Sequence, residues 1–296
     1  MAAPVQQVNA HTVVLQPSQR GAGSIVTLQA RVPWPAEVGD ARVVTLGDGQ
    51  GTGEGSGEVP NLTDVPAPEP GSETIEDELF IYWNLNEAFG TRLDAVGTNH
   101  LTSNNSVGMV PGQLNNAASF NGISQWLSIA DNGNVSMGDG QAFTITMWLY
   151  PVGLVNGATP LNKGQLIFNP NNFEYALEFY TPGGAVPIEL LFLTNNGPDL
   201  DVHVPVPAGQ WNFVVAWYDG GQHIQVNNGL TSNSTYSNGA GASDRTFALN
   251  LGSSGSGGAF YPGYLDMVGI WKRALTADER TFLWNGGLGR EYPFSL

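Results

Sequence analysis

Residues 143–150 read FTITMWLY, in which every second side chain, starting with Phe143, is large and apolar. A similar alternation recurs at 173–180, which read FEYALEFY, and at 211–218, which read WNFVVAWY. Successive side chains of a β-strand point to opposite faces, so a period of two is typical of strands. Glycine, asparagine and proline separate these runs, as they do in the turns of antiparallel sheets. From Leu79 onward the sequence therefore predicts an all-β sandwich of two antiparallel sheets.

One short helix is predicted near the end of the sequence. Thr276 and Glu279 are three residues apart and form a capping box, in which each side chain bonds the backbone N–H of the other residue. Residues 277–284 follow, and the Asn-Gly-Gly run at 285–287 favours the left-handed conformation that ends a helix. We predict that this helix covers an open end of the sandwich. Four tryptophans in strand patterns are predicted to fill the inter-sheet core or its edges: Trp148, Trp211, Trp217 and Trp271.

The first 78 residues have a different composition. Residues 47–78 contain nine carboxylates, seven glycines and four prolines, with no Lys, Arg or aromatic residue. Such a segment cannot bury enough apolar surface to offset its ordering entropy, so it is predicted to be an acidic linker. Residues 1–46 contain short runs rich in Val, Thr and Gln, which predict a docking arm that pairs its strands with another surface. The alternative is an arm packed on its own domain, residues 79–296.

The charge balance excludes several partners. The chain has 26 acidic and 10 basic side chains, which gives a formal net charge of −16. Nucleic acids and anionic membrane surfaces require clustered Lys and Arg, so neither is expected as a partner. Cysteine is absent, which excludes disulfides and thiolate zinc sites. No stretch has the features of a signal peptide or the length of a membrane span, so we expect no export signal.

A succession of short motifs resembles a known family. In chain order they are YWNLNE at 82–87, TRLD at 91–94, NAASFNG at 116–122, AFTITMW at 142–148, GQWNFVV at 209–215, GYLD at 263–266 and WKRALTADE at 271–279. Together they resemble the laminin-G-like, concanavalin A-like lectin/glucanase family over about residues 79–289. The resemblance implies a jelly roll of two curved antiparallel sheets. This fold serves enzymes, lectins and structural modules alike, so it does not by itself define a function.

The residues do not favour an enzyme. Glucanase members of the family carry a Glu-x-Asp-x-Glu strand motif that is absent here, and the nearest pattern, Asp199-x-Asp201-x-His203, contains no glutamate. Glu174 and Glu178 share a strand face roughly 13 Å apart. Glycoside hydrolysis uses carboxylates about 5–9.5 Å apart. We interpret these side chains as solvent-facing polar positions, with the lining of a groove as the alternative, and predict that the protein is not an enzyme.

The resemblance also implies ligands. Relatives hold a structural calcium between an Asp near the start and another near the end of the domain, which Asp94 and Asp266 match. Asn86 and Met267 stand where relatives carry Asp and Glu, which lowers the expected calcium affinity. The alternative is that Asp94 and Asp266 cap turns. Sugar binding requires exposed aromatic rings beside polar groups. The candidates for it are Trp126, Tyr180, Tyr236, Phe260 and Tyr261.

Three functions follow from these features, in order of preference. The first is a non-enzymatic interaction protein, a jelly-roll head that residues 1–46 anchor to other subunits of a large assembly. Similar heads occur in bacteriophage virion proteins, so we expect a homo-oligomeric capsid decoration or tail accessory protein on the virion surface. It would be assembled in the host cytoplasm and would bind cell-surface glycans. The second is a free carbohydrate-binding module or adhesin, and the third is a glucanase-type hydrolase.

Overall fold

The computed structural model describes residues 74–138, 140–165, 172–181, 188–194, 201–233, 242–255 and 258–294. The predicted arm and nearly all of the predicted linker lie outside these residues. A compact unit begins at Ile75, four residues before the predicted boundary. Trp271 Nε1 donates a hydrogen bond to the Ile75 carbonyl at 2.7 Å, and Arg273 Nε donates one to the Asp77 carbonyl at 2.9 Å. The last residues of the predicted linker are therefore part of the folded domain.

Two antiparallel sheets form within the described residues, as predicted. The strands are β1 (Leu79–Trp83), β2 (Thr102–Asn104), β3 (Gly108–Pro111), β4 (Asn116–Asn121), β5 (Trp126–Ile129), β6 (Phe143–Pro151), β7 (Leu161–Gly164), β8 (Phe173–Tyr180), β9 (Glu189–Thr194), β10 (Asp201–Val204), β11 (Asn212–Tyr218), β12 (Gln222–Val226), β13 (Leu230–Asn233), β14 (Leu249–Leu251) and β15 (Pro262–Trp271). The first sheet has the order β13-β12-β11-β6-β15-β4-β3, with β1 also paired to β15. The second sheet has the order β10-β9-β8-β7-β14-β5-β2. The non-sequential order of both sheets is that of a jelly roll.

The inter-sheet core is built by alternate residues of the central strands. Val214 and Ala216 of β11 point into it, and Phe143 of β6 contacts Tyr175 and Phe192 of the second sheet with ring centroids 5.4 and 5.9 Å apart. The intervening side chains point the other way and form a second buried cluster on the outer face of the first sheet. The first sheet is therefore apolar on both faces.

This second cluster corrects two predictions. Trp148, Trp217 and Trp271 belong to it rather than to the inter-sheet core, and Trp211 packs against it. The helix α1 (Ala277–Trp284) lies on this outer face, not over an open end, and its Trp284 stacks on Trp148 at 5.3 Å. The physical reason is that strands with two apolar faces need cover on both sides.

The helix has the predicted start and end. Thr276 accepts a hydrogen bond from the Glu279 backbone N–H in a complete capping box, and Asn285 adopts a φ of 49° at the C-cap. Glu279 also pairs with Arg273 through two bonds of 2.8 and 2.6 Å, which ties the helix to the end of β15. Across the described ranges, no helix is long and apolar enough to cross a bilayer.

Candidate functional site

Two of the predicted sugar-binding aromatics meet on the surface. Trp126 opens β5, and Phe260 lies two residues before β15. Their ring centroids are 6.1 Å apart at an angle of 43°, and both side chains are half-buried. Leu127 points into the core, so its neighbour Trp126 points outward from the second sheet. The fold thus brings together two rings that are far apart in the sequence.

A loop with amide and hydroxyl groups borders this aromatic pair. Asn121 Oδ1 accepts the backbone N–H groups of Ile123, Ser124 and Gln125 at 2.9–3.2 Å and so fixes the turn before Trp126. This turn is joined to the loop after β2 by side-chain hydrogen bonds in both directions. Gln125 Nε2 donates to the Asn105 and Ser106 carbonyls, and Asn105 Nδ2 donates to the Ser124 carbonyl. The side chain of Ile123 is 73% exposed at the tip.

We call this region the Trp126 surface and define it by seven residues. They are Asn104, Asn105, Ile123, Ser124, Gln125, Trp126 and Phe260. Asn104 is the cross-strand neighbour of Trp126, and its Nδ2 donates to Ser128 Oγ at 2.9 Å. None of the seven side chains is charged. Apolar rings beside fixed amides are suited to a ligand with an apolar face and hydroxyl edges. The Asn-Gly pair at 121–122 is a turn signal that could have located the bordering loop, but the sequence prediction used it only as part of a family motif.

The outer face of the second sheet is polar beyond this surface. Thr102, Ser128, Asn250 and Asn162 are neighbours in register on β2, β5, β14 and β7. The loop after β14 covers the inner part of this row, since Asn162 Nδ2 donates to the Ser254 carbonyl at 2.7 Å and is fully buried. The accessible part of the row therefore lies at the β2–β5 edge, beside Trp126.

Tyr180 lies apart from the Trp126 surface. It ends β8, is 42% exposed, and is three strands away from β5, which corresponds to about 14 Å. Glu178, two residues earlier, is half-buried, and burial raises the pKa of its carboxyl to about 7. His203 of β10 pairs through Nδ1 with Glu189 Oε2 nearby on the same face. A ligand stacked on Trp126 would have to span most of this distance to reach Tyr180.

Tyr261 is a correction to the predicted set. Its side chain is fully buried, with its ring stacked on Phe179 at 6.1 Å and 5° and also in contact with Phe120. A ring inside the core cannot stack on a sugar. Tyr261 lies directly before β15 and enters the core, whereas its neighbour Phe260 is half-buried beside Trp126. Tyr236, the remaining candidate, lies outside the described residues.

The two aspartates predicted to hold calcium have different partners. Asp94 accepts four N–H groups, from the Tyr82 and Val96 backbone and from the Asn99 backbone and amide, at 3.0–3.2 Å. These donors close the turn and occupy the oxygen lone pairs that a cation would need. This hydrogen bonding fits the turn-capping alternative, so Asp94 does not fit a calcium site in this arrangement.

Asp266 is fully buried on β15. Its Oδ2 accepts the Gln113 and Leu114 backbone N–H groups at 2.9 and 3.2 Å. Burial raises the pKa of Asp266 to about 8, and the nearby Glu291 carboxylate adds to the rise. In the part of the chain that is described, no three His, Asp or Glu side chains cluster to hold a metal ion.

Glu174 is a second correction, because it is not solvent-facing. Its side chain is fully buried and pairs with Lys163, whose ammonium also contacts Asp131. Asp199 of the pattern compared with the glucanase motif lies outside the described residues, and His203 lies exposed on an edge strand. Sequence reasoning did not anticipate a buried lysine at position 163.

A cleft of about 460 Å³ elsewhere in the domain is apolar. Its walls are formed by Leu154, Ile188, Pro205, Val206, Pro207, Val226, Asn227 and Gly229. The amide of Asn227 is already bonded to the Phe213 N–H and to Asn212 Oδ1, at 2.9 and 3.1 Å. Seven of these eight residues have no polar side chain, so the cleft offers few partners for sugar hydroxyls.

Solved structures with similar folds include several binding domains. Domain 4 of AbnA, a GH43 extracellular arabinanase from Geobacillus stearothermophilus solved with arabinotriose, is 16% identical with a TM-score of 0.54, over 72% of this chain and 98% of that one. The binding domain of Paraclostridial Mosquitocidal Protein 1 is 14% identical with a TM-score of 0.55, over 72% and 53% of the two chains. A structure of botulinum neurotoxin type C, a toxin whose cell entry depends on interaction with two ganglioside molecules, is 14% identical with a TM-score of 0.53, over 72% of this chain and 52% of that one. The chain thus spans about half of these toxin chains, and at such identities the likeness concerns the fold.

The sequence itself identifies the family. No curated protein matches the chain significantly. Residues 121–279, more than half of the chain, match the family model of the concanavalin A-like lectin/glucanases superfamily, laminin G type. This match and the two-sheet fold confirm the resemblance drawn from the motifs, and the chain belongs to the concanavalin A-like lectin/glucanase superfamily.

Proposed function

We propose that the domain is a non-enzymatic, lectin-like module that binds glycans on the Trp126 surface. The observation that carries the proposal is the pair of half-buried rings of Trp126 and Phe260, 6.1 Å apart, beside the amides of Asn104 and Asn105. A sugar ring stacks its C–H face on an aromatic ring and directs its hydroxyls to neighbouring amides. Ile123 extends the apolar contact at the tip of the loop.

The expected ligand is an uncharged glycan. None of the seven residues of the Trp126 surface is charged, and the chain as a whole carries a net charge of −16. A sialylated or uronic acid glycan would find no cation on this surface to pair with and would be repelled by the overall charge. The arabinanase domain was solved with neutral arabinotriose, whereas the neurotoxin of similar fold interacts with gangliosides, so the choice of a neutral ligand rests on the charge of this chain and not on its fold.

A glycan array that contains both neutral and sialylated glycans tests the proposal. The intact chain is expected to bind neutral glycans, and Trp126→Ala is expected to weaken binding at least tenfold, or about 1.4 kcal/mol. Tyr180→Ala is the matched control, because it removes another exposed aromatic ring from the same sheet and should leave binding unchanged. An array that shows no binding for the intact chain, or equal binding by Trp126→Ala, refutes the proposal.

For the rest of the chain we propose a role in assembly. Residues 1–46 would anchor the lectin-like head to a large structure, for which the surface of a phage virion is our candidate, and residues 47–78 would space it outward. The support is compositional: the linker is acidic and rich in Gly and Pro, and the arm holds short strand-like runs. Deletion of residues 1–46 is expected to abolish incorporation into particles while glycan binding remains. Unchanged incorporation would contradict this role, and light scattering of the intact chain tests the expected homo-oligomer.

A further inference from the structure

A buried ion pair joins two neighbouring strands of the second sheet. Lys163 of β7 and Glu174 of β8 are both 0% exposed, and Lys163 Nζ lies 3.1 Å from Glu174 Oε2. Removing two charges from water is costly, and their attraction offsets that cost only when the geometry is favourable. The pair is not among the residues of the Trp126 surface.

The carboxyl of Glu174 is held by backbone donors. Its Oε1 accepts the Met137 N–H, and its Oε2 accepts the Arg245 N–H at 3.2 Å. Burial raises the pKa of Glu174, although the bonds from Met137 and Lys163 oppose the rise. A fixed N–H on Oε1 polarises the carbonyl and would stabilise negative charge on that oxygen.

The ammonium of Lys163 is held by three further acceptors. It lies 2.7 Å from Asp131 Oδ1 and donates to the Arg245 and Phe247 carbonyls at 2.6 and 2.9 Å. The Asp131 side chain is 29% exposed and so reaches solvent. Partial burial opposes a fall in the pKa of Asp131, but hydrogen bonds from Lys163 and Ser136 lower it. Asp131 is thus a carboxylate in position to pass a proton between the buried amine and water.

We propose that Lys163 and Glu174 condense to form an intramolecular amide cross-link between β7 and β8. Asp131 accepts a proton from Nζ, and the freed amine attacks Cδ of Glu174, with the developing charge on Oε1 held by the Met137 N–H. The Nζ–Cδ bond forms and the Cδ–Oε2 bond breaks. The nitrogen gives up two protons, one directly to Oε2 and one to Asp131, which returns it to Oε2, so that Oε2 leaves as water and Asp131 is again a carboxylate.

Two physical effects favour this step without any cofactor or oxidant. The reacting groups are held at contact distance, and such positioning raises the effective concentration of an amine by orders of magnitude over free solution. Two buried charges also become one neutral amide, which removes the cost of keeping an ion pair out of water. Burial of both side chains excludes competing water from the reacting carbon.

Mass spectrometry of the intact, fully denatured chain tests the cross-link. The measured mass is expected to lie about 18 Da, one water, below the mass calculated from the sequence. Lys163→Arg keeps the cation but cannot form the bond, and should show the full mass. Tandem spectra of a protease digest should contain a branched peptide that joins Lys163 to Glu174.

The outcomes are separable. Asp131→Asn is expected to leave part of the chain without the bond, because it removes the proton relay but neither reacting group. A full-mass intact chain overturns the proposal whatever the variants show. A water loss that maps to another position, including a bond from Lys163 to Asp131, overturns it as well.

Discussion

Replacing Asp266 with asparagine is expected to change how the stability of the sandwich depends on pH. Asp266 is fully buried, and burial raises its pKa from the ordinary value of 3.8 to about 8. Asparagine has nearly the same shape, and its side-chain oxygen can still accept the Gln113 and Leu114 N–H groups, but it cannot ionise. The variant thus removes the titration of this group with little change in packing.

The size of the effect follows from the difference in pKa. Between about pH 4 and pH 8 the folded protein keeps the Asp266 proton and the unfolded chain does not. The contribution of this group to stability is complete below pH 4 and falls by about 1.4 kcal/mol per pH unit until pH passes the folded pKa. From pH 5 to pH 8 the intact chain should therefore lose up to about 4 kcal/mol that Asp266→Asn does not lose.

Chemical denaturation at pH 5, 6, 7 and 8 measures this difference. The free energy of unfolding of Asp266→Asn, relative to the intact chain, should increase steadily with pH. Glu76→Gln, which removes an exposed carboxylate, is the control and should run parallel to the intact chain. Parallel curves for Asp266→Asn would mean that Asp266 is already ionised in the folded protein, and the reasoning from burial would be refuted.

Three further predictions concern individual contacts. Gly263→Ala should cost about 1–3 kcal/mol in thermal or chemical unfolding. The reason is that a Cβ at position 263 would lie 2.4 Å from the Tyr261 ring. Gly133→Ala is the control and should be neutral, because a Cβ there would have no atom within 4 Å. Equal losses of stability in the two variants would contradict the packing around Gly263. Glu279→Ala should cost about 2–4 kcal/mol, since it removes both charge-assisted bonds to Arg273 and opens the capping box, and a loss below about 1 kcal/mol would be inconsistent with these contacts. Carbon-detected NMR should show the Glu178 carboxyl titrating near pH 7, and a midpoint near pH 4.5 would contradict its burial.

Local patterns predicted the elements of the fold well. The alternation at 143–150 and 211–218 lies in β6 and β11, and the Thr276–Glu279 capping box begins the helix at the predicted residue. Each of these signals depends on residues within a few positions of one another. Such information is contained in a single stretch of sequence, so the elements and the family could both be predicted.

Burial and side-chain partners could not be predicted in the same way. Glu174 alternates with apolar residues as a solvent-facing side chain would, yet it is buried because Lys163 and the Met137 N–H meet it from other segments. The aromatic pair depends on the sheet order, which brings residues 126 and 260 together from 134 positions apart. Only the topology of both sheets fixes these contacts.

The most direct test of the central claim is an NMR titration of the intact chain with a neutral glycan found on the array. Because a glycan on the Trp126 surface would stack on the Trp126 ring, the chemical shift of the Trp126 indole N–H is expected to change with glycan concentration and to reach a plateau. The resonance is assigned by its absence from the spectrum of Trp126→Phe. The buried Trp83 and Trp271 provide internal controls and should not shift. A titration in which the glycan binds but the Trp126 resonance stays unchanged would contradict the assignment of this surface as the glycan-binding site.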